Sequence, residues 1–94
     1  MFGTVMRARV KPEMRDAFVQ QMSTFEERRR PDGFESADLA WEVGDANRAV
    51  MIVRFSDRES YMANAADPAQ DREYREMLRY LDGEPEWIDV EFVD

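Results

Sequence analysis

A short segment of the chain, residues 54–68, places polar and aromatic side chains at helical spacing directly after a strand-like apolar run. Tyr61 and Asn64 are three residues apart, so one helix face carries both. Asp67-Pro68 interrupts that helix, because the proline ring disfavours helical geometry at the preceding residue. A bent helix separates from the sheet beneath it and leaves room for a small apolar ligand. We therefore predict a pocket lined by Met22, Met51, Phe55, Tyr61, Asn64 and Tyr74.

The same segment also has a purely structural interpretation. Ser56 and Glu59 fit a capping box, in which the serine hydroxyl accepts a hydrogen bond from the Glu59 backbone and the glutamate reaches back. Tyr61 is then an amphipathic core residue whose hydroxyl bonds to water or backbone. The residues alone leave both interpretations open.

The composition excludes several kinds of chemistry. The chain contains no histidine and no cysteine. It therefore lacks the commonest general base, the usual haem and zinc ligand, and any thiol nucleophile or thiolate metal site. We expect a protein that holds neither a metal ion nor a cofactor.

Charge and hydropathy restrict the partners of the chain. The net charge is −8, with 21 acidic and 13 basic residues, and an acidic surface repels a phosphate backbone. The one arginine cluster, Arg28 to Arg30, follows two glutamates and is interpreted as a solvated helix C-terminus. The sequence shows no apolar run of membrane-spanning length and no signal peptide. We expect a cytoplasmic protein that binds neither nucleic acid nor membrane.

Hydrophobic periodicity predicts the elements that must position these side chains. Alternation with period two indicates strands, and apolar residues at i, i+3 and i+4 indicate helices. The predicted strands are residues 2–10, 34–43, 49–55 and 86–93. One predicted helix starts at Pro12 and stops before Gly33. The other runs from about residue 57 to 81, with its interruption at Asp67-Pro68.

The resulting order βαββαβ predicts an α+β fold, the ferredoxin-like plait, as a single domain over residues 1–94. Its four-stranded antiparallel sheet carries both helices on one face, and the other face is open. That open face is predicted to present Val5, Arg7, Arg9, Trp87 and Val93. Exposed apolar bulk of this kind favours association, so we expect a homodimer through the open sheet face.

Residues 50–78, together with residues 30–34 after an amphipathic helix, resemble the antibiotic biosynthesis monooxygenase family. The resemblance implies a small dimeric α/β-barrel protein. In the quinone-forming oxygenases of this family, an Asn and a Trp on the third strand, a helix Tyr and an Arg surround the substrate. The Tyr corresponds to Tyr61 and the Arg to Arg72 or Arg75, whereas Met51 and Phe55 occupy the Asn and Trp positions. The haem-degrading branch needs a helix histidine, which this chain lacks.

The resemblance thus implies a cofactor-independent monooxygenase, or an isomerase, that acts on a small aromatic, polyketide-type molecule. Tyr61 would donate a hydrogen bond to a phenolic or enolate oxygen, and Arg75 or Arg72 would stabilise its negative charge. Trp41 would complete the apolar walls with Met51 and Phe55.

Two questions about this chemistry stay open at the level of sequence. Asp67 or Glu59 serves as a general base only if burial raises its pKa, and Arg54 is either a second anion stabiliser or half of an ion pair. The alternative function is a non-catalytic ligand-binding or structural dimer, in which methionine and phenylalanine side chains fill the pocket.

Overall fold

The computed structural model describes residues 1–93, and it has the predicted succession of strands and helices. The strands are β1 (Phe2–Arg9), β2 (Phe34–Trp41), β3 (Arg48–Phe55) and β4 (Glu86–Glu91). The helices are α1 (Arg15–Ser23), α2 (Phe25–Arg28), α3 (Arg58–Ala65) and α4 (Pro68–Leu78), and a 3₁₀ turn (Pro12–Met14) precedes α1. Each predicted long helix is therefore two shorter ones.

The four strands form one open antiparallel sheet in the order β2-β3-β1-β4. This strand order confirms the ferredoxin-like plait. Across the sheet, Met6 of β1 lies between Met51 of β3 and Trp87 of β4. Residues opposite each other in neighbouring strands share a face, so these three side chains point to the helix side.

The core lies between that sheet face and the helices. The alternation predicted for β1 is confirmed, because Thr4, Met6 and Ala8 are all buried. Phe18 of α1 and Met77 of α4 are buried against the same face. One side chain from each half of the helix layer thus packs on the central strand, which holds both halves over the sheet.

The structure corrects the predicted open face. Trp87 shares the helix side with Met6, and Val93 lies beyond the end of β4. The predicted strand 34–43 also ends earlier, at Trp41, and Val43 is fully exposed in the turn. The alternation in residues 86–93 correctly predicts a strand with two faces. The face that carries Trp87, however, is directed to the helices and not to the open side of the sheet.

The open face is mixed and carries Val5, as predicted, but it does not carry Trp87. Ile52, Val5 and Ile88 lie side by side on β3, β1 and β4, and Ile88 is 60% exposed. Ion pairs border this apolar row: Arg7–Glu42, Arg9–Asp45 and Arg54–Asp38. No helix among residues 1–93 has the length and apolar character required to cross a bilayer.

Candidate functional site

A cavity of about 340 Å³ lies between the helices and the inner face of the sheet. This volume is within the range of small-molecule sites. Its walls are mostly apolar and aromatic. Six of the seven residues predicted to line a pocket contribute to them: Met22, Met51, Phe55, Tyr61, Asn64 and Tyr74.

Local structure explains why a cavity opens at this place. Ala66 ends α3, and Asp67 adopts extended backbone geometry before Pro68 begins α4. The Asp67 carboxylate accepts a hydrogen bond from the Ala69 backbone N–H at 2.8 Å and thereby caps α4. The predicted interruption is thus a capped junction between two helices, and the cavity lies beneath it.

The other helix start differs from the predicted capping box. Asp57, rather than Ser56, is the N-cap residue of α3, and its side chain accepts a hydrogen bond from the Ser60 backbone N–H at 2.7 Å. Ser56 is exposed, and its backbone N–H donates to the Gly33 carbonyl. A one-residue shift of the cap leaves Tyr61 on the helix face that meets the sheet.

Aromatic rings form a continuous row along one wall of the cavity. Tyr61 meets Phe55 edge-to-face at 5.6 Å between ring centroids, Phe55 meets Phe34 at 5.9 Å, and Phe34 meets Phe25 at 5.3 Å. Such tilted contacts are the favourable geometry for aromatic pairs. The row therefore gives the cavity a firm wall suited to a flat aromatic ligand.

Tyr61 supplies the polar group of this aromatic wall. Its hydroxyl donates a 2.6 Å hydrogen bond to Oδ1 of Asp89, which lies on β4 opposite Thr4. Partial burial and the Asp89 carboxylate raise the pKa of Tyr61 to about 12. The phenol is thus held in its neutral form and is coupled to a carboxylate.

Asp89 is a site residue that the sequence analysis missed. Alternation shows only that it lies on one side of the predicted strand, and its partner Tyr61 lies 28 positions earlier in the chain. Trp87, two residues before Asp89 on the same face, lines the cavity, and its ring centroid lies 6.1 Å from that of Tyr74. Assigning this side of β4 to the inner face of the sheet would have identified both Trp87 and Asp89.

Three predicted site residues lie outside the cavity lining. Trp41 packs against Phe18 and lies under the Arg15 guanidinium, whose carbon is 4.2 Å from its ring centroid. Arg75 is 75% exposed and pairs with an aspartate one turn earlier in α4, and Arg72 is also exposed. The structure therefore does not bring either arginine together with Tyr61.

The residues considered as a general base or as a second anion stabiliser are not placed for those roles either. The Ala69 backbone hydrogen bond and the Arg29 guanidinium lower the pKa of Asp67, which is the opposite of what a general base there requires. Glu59 is exposed. Arg54 pairs with Asp38 at 2.7 Å on the open sheet face, as its ion-pair interpretation predicted.

The arginine cluster lies at the C-terminus of α2, as predicted, and Arg28 and Arg30 are exposed, but Arg28 and Arg29 also make contacts with the second helical segment. Arg28 makes two hydrogen bonds to the carboxylate of Glu73 on α4, at 2.9 and 3.1 Å. Arg29 donates to Asp67 at 3.1 Å and to Gln70 at 3.3 Å, and its side chain is only 19% exposed. These contacts fasten the end of the first helical segment across the cavity to α4.

Polar side chains of α4 complete the lining, namely Gln70, Asp71 and Glu73. Asp71 and Glu73 are paired with arginines, so their charges are largely balanced. Within residues 1–93, no group of three or more acidic side chains is arranged to hold a metal ion. The lining is thus mostly apolar, and its uncharged polar side chains are those of Thr4, Tyr61, Asn64 and Gln70.

Comparison with protein families and solved structures agrees with this architecture. The sequence profile of a family described as antibiotic biosynthesis monooxygenase matches residues 1–76. A comparison with curated protein sequences returned no match.

Several crystal structures share the fold of this chain. One described as a putative antibiotic biosynthesis monooxygenase from Nitrosomonas europaea has 18% identity, full coverage of both chains and a TM-score of 0.77. A conserved protein from Methanosarcina mazei Go1 has 20% identity over 95% of this chain and 89% of its own, with a TM-score of 0.78. A variant of SnoaB, a cofactor-independent oxygenase from Streptomyces nogalater, has 19% identity over 98% and 94%, with a TM-score of 0.69.

Proposed function

The chain belongs to the antibiotic biosynthesis monooxygenase family, and on this premise we propose that it is a cofactor-independent monooxygenase of a small aromatic molecule. The observation that carries the proposal is the aromatic-walled cavity of about 340 Å³, which Tyr61 lines while its hydroxyl is hydrogen-bonded to Asp89 behind the lining. SnoaB, which shares the fold, is described as a cofactor-independent oxygenase. The substrate binds between the helices and the sheet.

The reaction balances without an external reductant. A methylene group beside a phenol becomes a carbonyl group: one atom of molecular oxygen forms the new C=O bond, and the other leaves as water with both hydrogens. The substrate supplies all four electrons. The first step removes a proton from the substrate and leaves a carbanion, stabilised as a phenolate or enolate, that reacts with oxygen.

The residues of this chain act on that proton and on the charge it leaves. Tyr61 stays protonated at neutral pH and can share its hydroxyl proton between Asp89 and a substrate oxygen. The carboxylate of Asp89 makes the phenol oxygen a better acceptor for the substrate proton, and so the pair serves as a relay. The aromatic row excludes water and aligns a flat ring beside it.

The test measures oxygen uptake and quinone formation with a panel of anthrones and quinols. We expect activity in the wild type and a loss of about a hundredfold or more in Tyr61→Phe and Asp89→Asn, because each removes one half of the relay. Tyr80→Phe is the matched control, since Tyr80 packs on Phe18 outside the cavity lining. Glu91→Gln is the control on the same face of β4. Wild-type activity in Tyr61→Phe would contradict the proposed relay.

A ligand-binding dimer without turnover is the second candidate, and one observation favours it. The two arginines expected to stabilise negative charge lie outside the cavity lining, so no unpaired cation faces Tyr61 among the described lining residues. A wild type that binds the aromatic panel but consumes no oxygen above the buffer rate would establish this candidate.

A further inference from the structure

We infer that Thr4 is a positioning residue for the Tyr61–Asp89 pair, and that its hydroxyl donates a hydrogen bond to the Tyr61 oxygen whenever that oxygen gives up its proton. The inference rests on the proposed proton transfer through Tyr61. It adds a third side chain to the relay and gives a function to a buried polar group of β1.

Thr4 is the one polar residue that is buried among the described residues, with 4% of its surface exposed. It also lines the cavity. Its hydroxyl donates to the backbone carbonyl oxygen of Ile88 at 3.1 Å. A buried hydroxyl normally has a partner, so this bond by itself agrees with a purely structural role. A role in the site depends on what else the hydroxyl can reach.

The strand register brings the Thr4 side chain to the Tyr61–Asp89 pair. Thr4 of β1 lies opposite Asp89 of β4. Because the Phe92 N–H donates to the Met1 carbonyl in the same register, the odd-numbered residues of β1 share hydrogen bonds with β4. Thr4 and Asp89 are therefore a non-hydrogen-bonded pair, in which side chains are closest. The Tyr61 hydroxyl, 2.6 Å from the Asp89 carboxylate, thus meets both side chains.

The Thr4 hydroxyl can change its acceptor without moving any heavy atom. A threonine hydroxyl has one proton, which rotates to suit its surroundings. The Ile88 carbonyl also accepts the backbone N–H of Val5, its hydrogen-bonded partner in the register. That carbonyl keeps a donor when the Thr4 proton turns away, so the change leaves no buried group unpaired.

The ionisation of Tyr61 agrees with this contact. Burial and the Asp89 carboxylate raise the pKa of Tyr61, whereas a hydrogen bond from the Thr4 hydroxyl lowers it. A donor that lowers the pKa of a phenol stabilises its phenolate form. Arg58, three positions earlier in α3, lies over the Phe2 ring, 5.8 Å from its centroid. Thr4 is therefore the donor that favours the phenolate.

Thr4 and Asp89 have complementary functions in the proposed transfer. Asp89 accepts the Tyr61 proton, and the Tyr61 oxygen then carries negative charge until it takes a proton from the substrate. A hydrogen bond to a charged acceptor is stronger than one to a carbonyl oxygen, so the Thr4 proton turns to the phenolate at this stage. Thr4 thereby stabilises the charged state of the relay without touching the reacting atoms.

The test measures the pKa of Tyr61 directly and needs no turnover. The full chain is labelled with difluorotyrosine, whose more acidic phenol moves the titration to lower pH. The chain contains three tyrosines, and the fluorine NMR signal of Tyr61 is the one that is missing in Tyr61→Phe. The other two tyrosine signals are internal controls.

We expect Thr4→Val, which keeps the shape of the side chain but removes the hydroxyl, to raise the pKa of Tyr61 by about one pH unit. Thr4→Ala removes the same hydroxyl with less bulk and should give the same rise. Thr4→Ser keeps the hydroxyl and should retain the wild-type value. Thr24→Val is the matched control, because the Thr24 hydroxyl donates to the Gln20 carbonyl on α1.

Turnover gives a second measurement of the same role. With an anthrone as substrate, Thr4→Val should lower kcat about tenfold at unchanged KM, because the charged state of the relay loses one hydrogen bond. Thr4→Ser should restore kcat. A loss that is purely structural would not be restored by serine together with the Tyr61 pKa.

Two results would overturn the inference while the proposed function stands. An unchanged Tyr61 pKa in Thr4→Val and Thr4→Ala would show that Thr4 only ties β1 to β4. A lower pKa in these variants would show that Thr4 acts only by holding Asp89 in place. The proposed function fails separately, if the wild type forms no quinone above the buffer rate, and the fluorine titration then still decides whether Thr4 is the donor to Tyr61.

Discussion

Tyr61 joins the two layers of the site through one hydroxyl group. Its ring packs on Phe2 and Phe55, at 5.2 and 5.6 Å, and its hydroxyl reaches Asp89 on the edge strand β4. The ring therefore contributes to packing, as the structural interpretation expected. The hydroxyl at the same time has the partner that acid–base chemistry requires, so the two interpretations describe different parts of one side chain.

The raised pKa of Tyr61 predicts a specific response to alkaline pH. Burial and the Asp89 carboxylate raise the pKa from 10.0 to about 12 in the folded protein. Between these values the unfolded chain loses the proton that the folded chain keeps, so the free energy of unfolding falls as pH rises. Below pH 10 this contribution is complete.

The measurement is the ultraviolet absorbance of tyrosinate, combined with thermal unfolding at pH 9 to 12. Tyr61→Phe should remove a transition near pH 12 and flatten the loss of stability above pH 10. Asp89→Asn should move that transition to lower pH, because one of its causes is gone. A transition that Tyr61→Phe leaves in place would belong to another tyrosine and contradict the assignment.

The helix junctions decide where the site can form. α3 and α4 are short, and each starts with an aspartate cap, Asp57 and Asp67 respectively. A short helix depends on its cap and on tertiary packing, because few internal hydrogen bonds offset the entropy of ordering it. The caps therefore hold Tyr61 and Asn64 in place over the cavity.

Exchanging the cap residues tests the helix start that the sequence misplaced. Asp57→Ala should lower the unfolding midpoint by about 4–8 °C, a typical effect of losing an N-cap in a domain of this size. Ser56→Ala should change it by much less, since the Ser56 side chain does not cap α3. Thermal unfolding followed by circular dichroism measures both. A larger effect of Ser56→Ala would favour the capping box.

Acid pH should reproduce the Asp57 effect without a mutation. The hydrogen bond from the Ser60 backbone lowers the pKa of Asp57 below 3.8. Its stabilising contribution is present above that value and is lost as pH falls through the folded-state pKa. The difference in unfolding midpoint between wild type and Asp57→Ala should therefore shrink below about pH 3.8.

At the scale of the whole molecule, we propose that the open sheet face mediates a homodimer. Ile52, Val5 and Ile88 form an apolar row across three strands, and ion pairs border it. A second copy that packs on this row removes apolar surface from water, which favours association. The helices cannot cover it because they occupy the opposite face.

Light scattering or analytical ultracentrifugation at micromolar concentration should give twice the mass of one chain. Ile88→Glu should shift the protein to monomer, because it places a charge in the apolar row at its most exposed member. Val43→Glu introduces the same charge at a fully exposed turn position and should remain dimeric. A monomeric wild type would contradict the proposal.

The sequence carried enough information for the fold because secondary structure and layer order follow from local patterns. Period-two alternation, the helical periodicity and the breakers at Gly33 and Asp67-Pro68 set the βαββαβ order, and only a few sheet topologies suit that order. Pocket residues such as Tyr61 and Asn64 could also be predicted from the sequence, since they lie beside the helix interruption at Asp67-Pro68. The absence of histidine and cysteine limited the chemistry in the same direct way.

Tertiary structure alone decided which faces and which distant side chains meet. Alternation along β4 separates two faces, but only its register with β1 shows that Trp87 and Asp89 face the helices. The bonds from Arg29 to Asp67 and from Tyr61 to Asp89 span 38 and 28 positions. Contacts over such separations leave no periodic signal in the sequence, because they arise only when the chain is closed on itself.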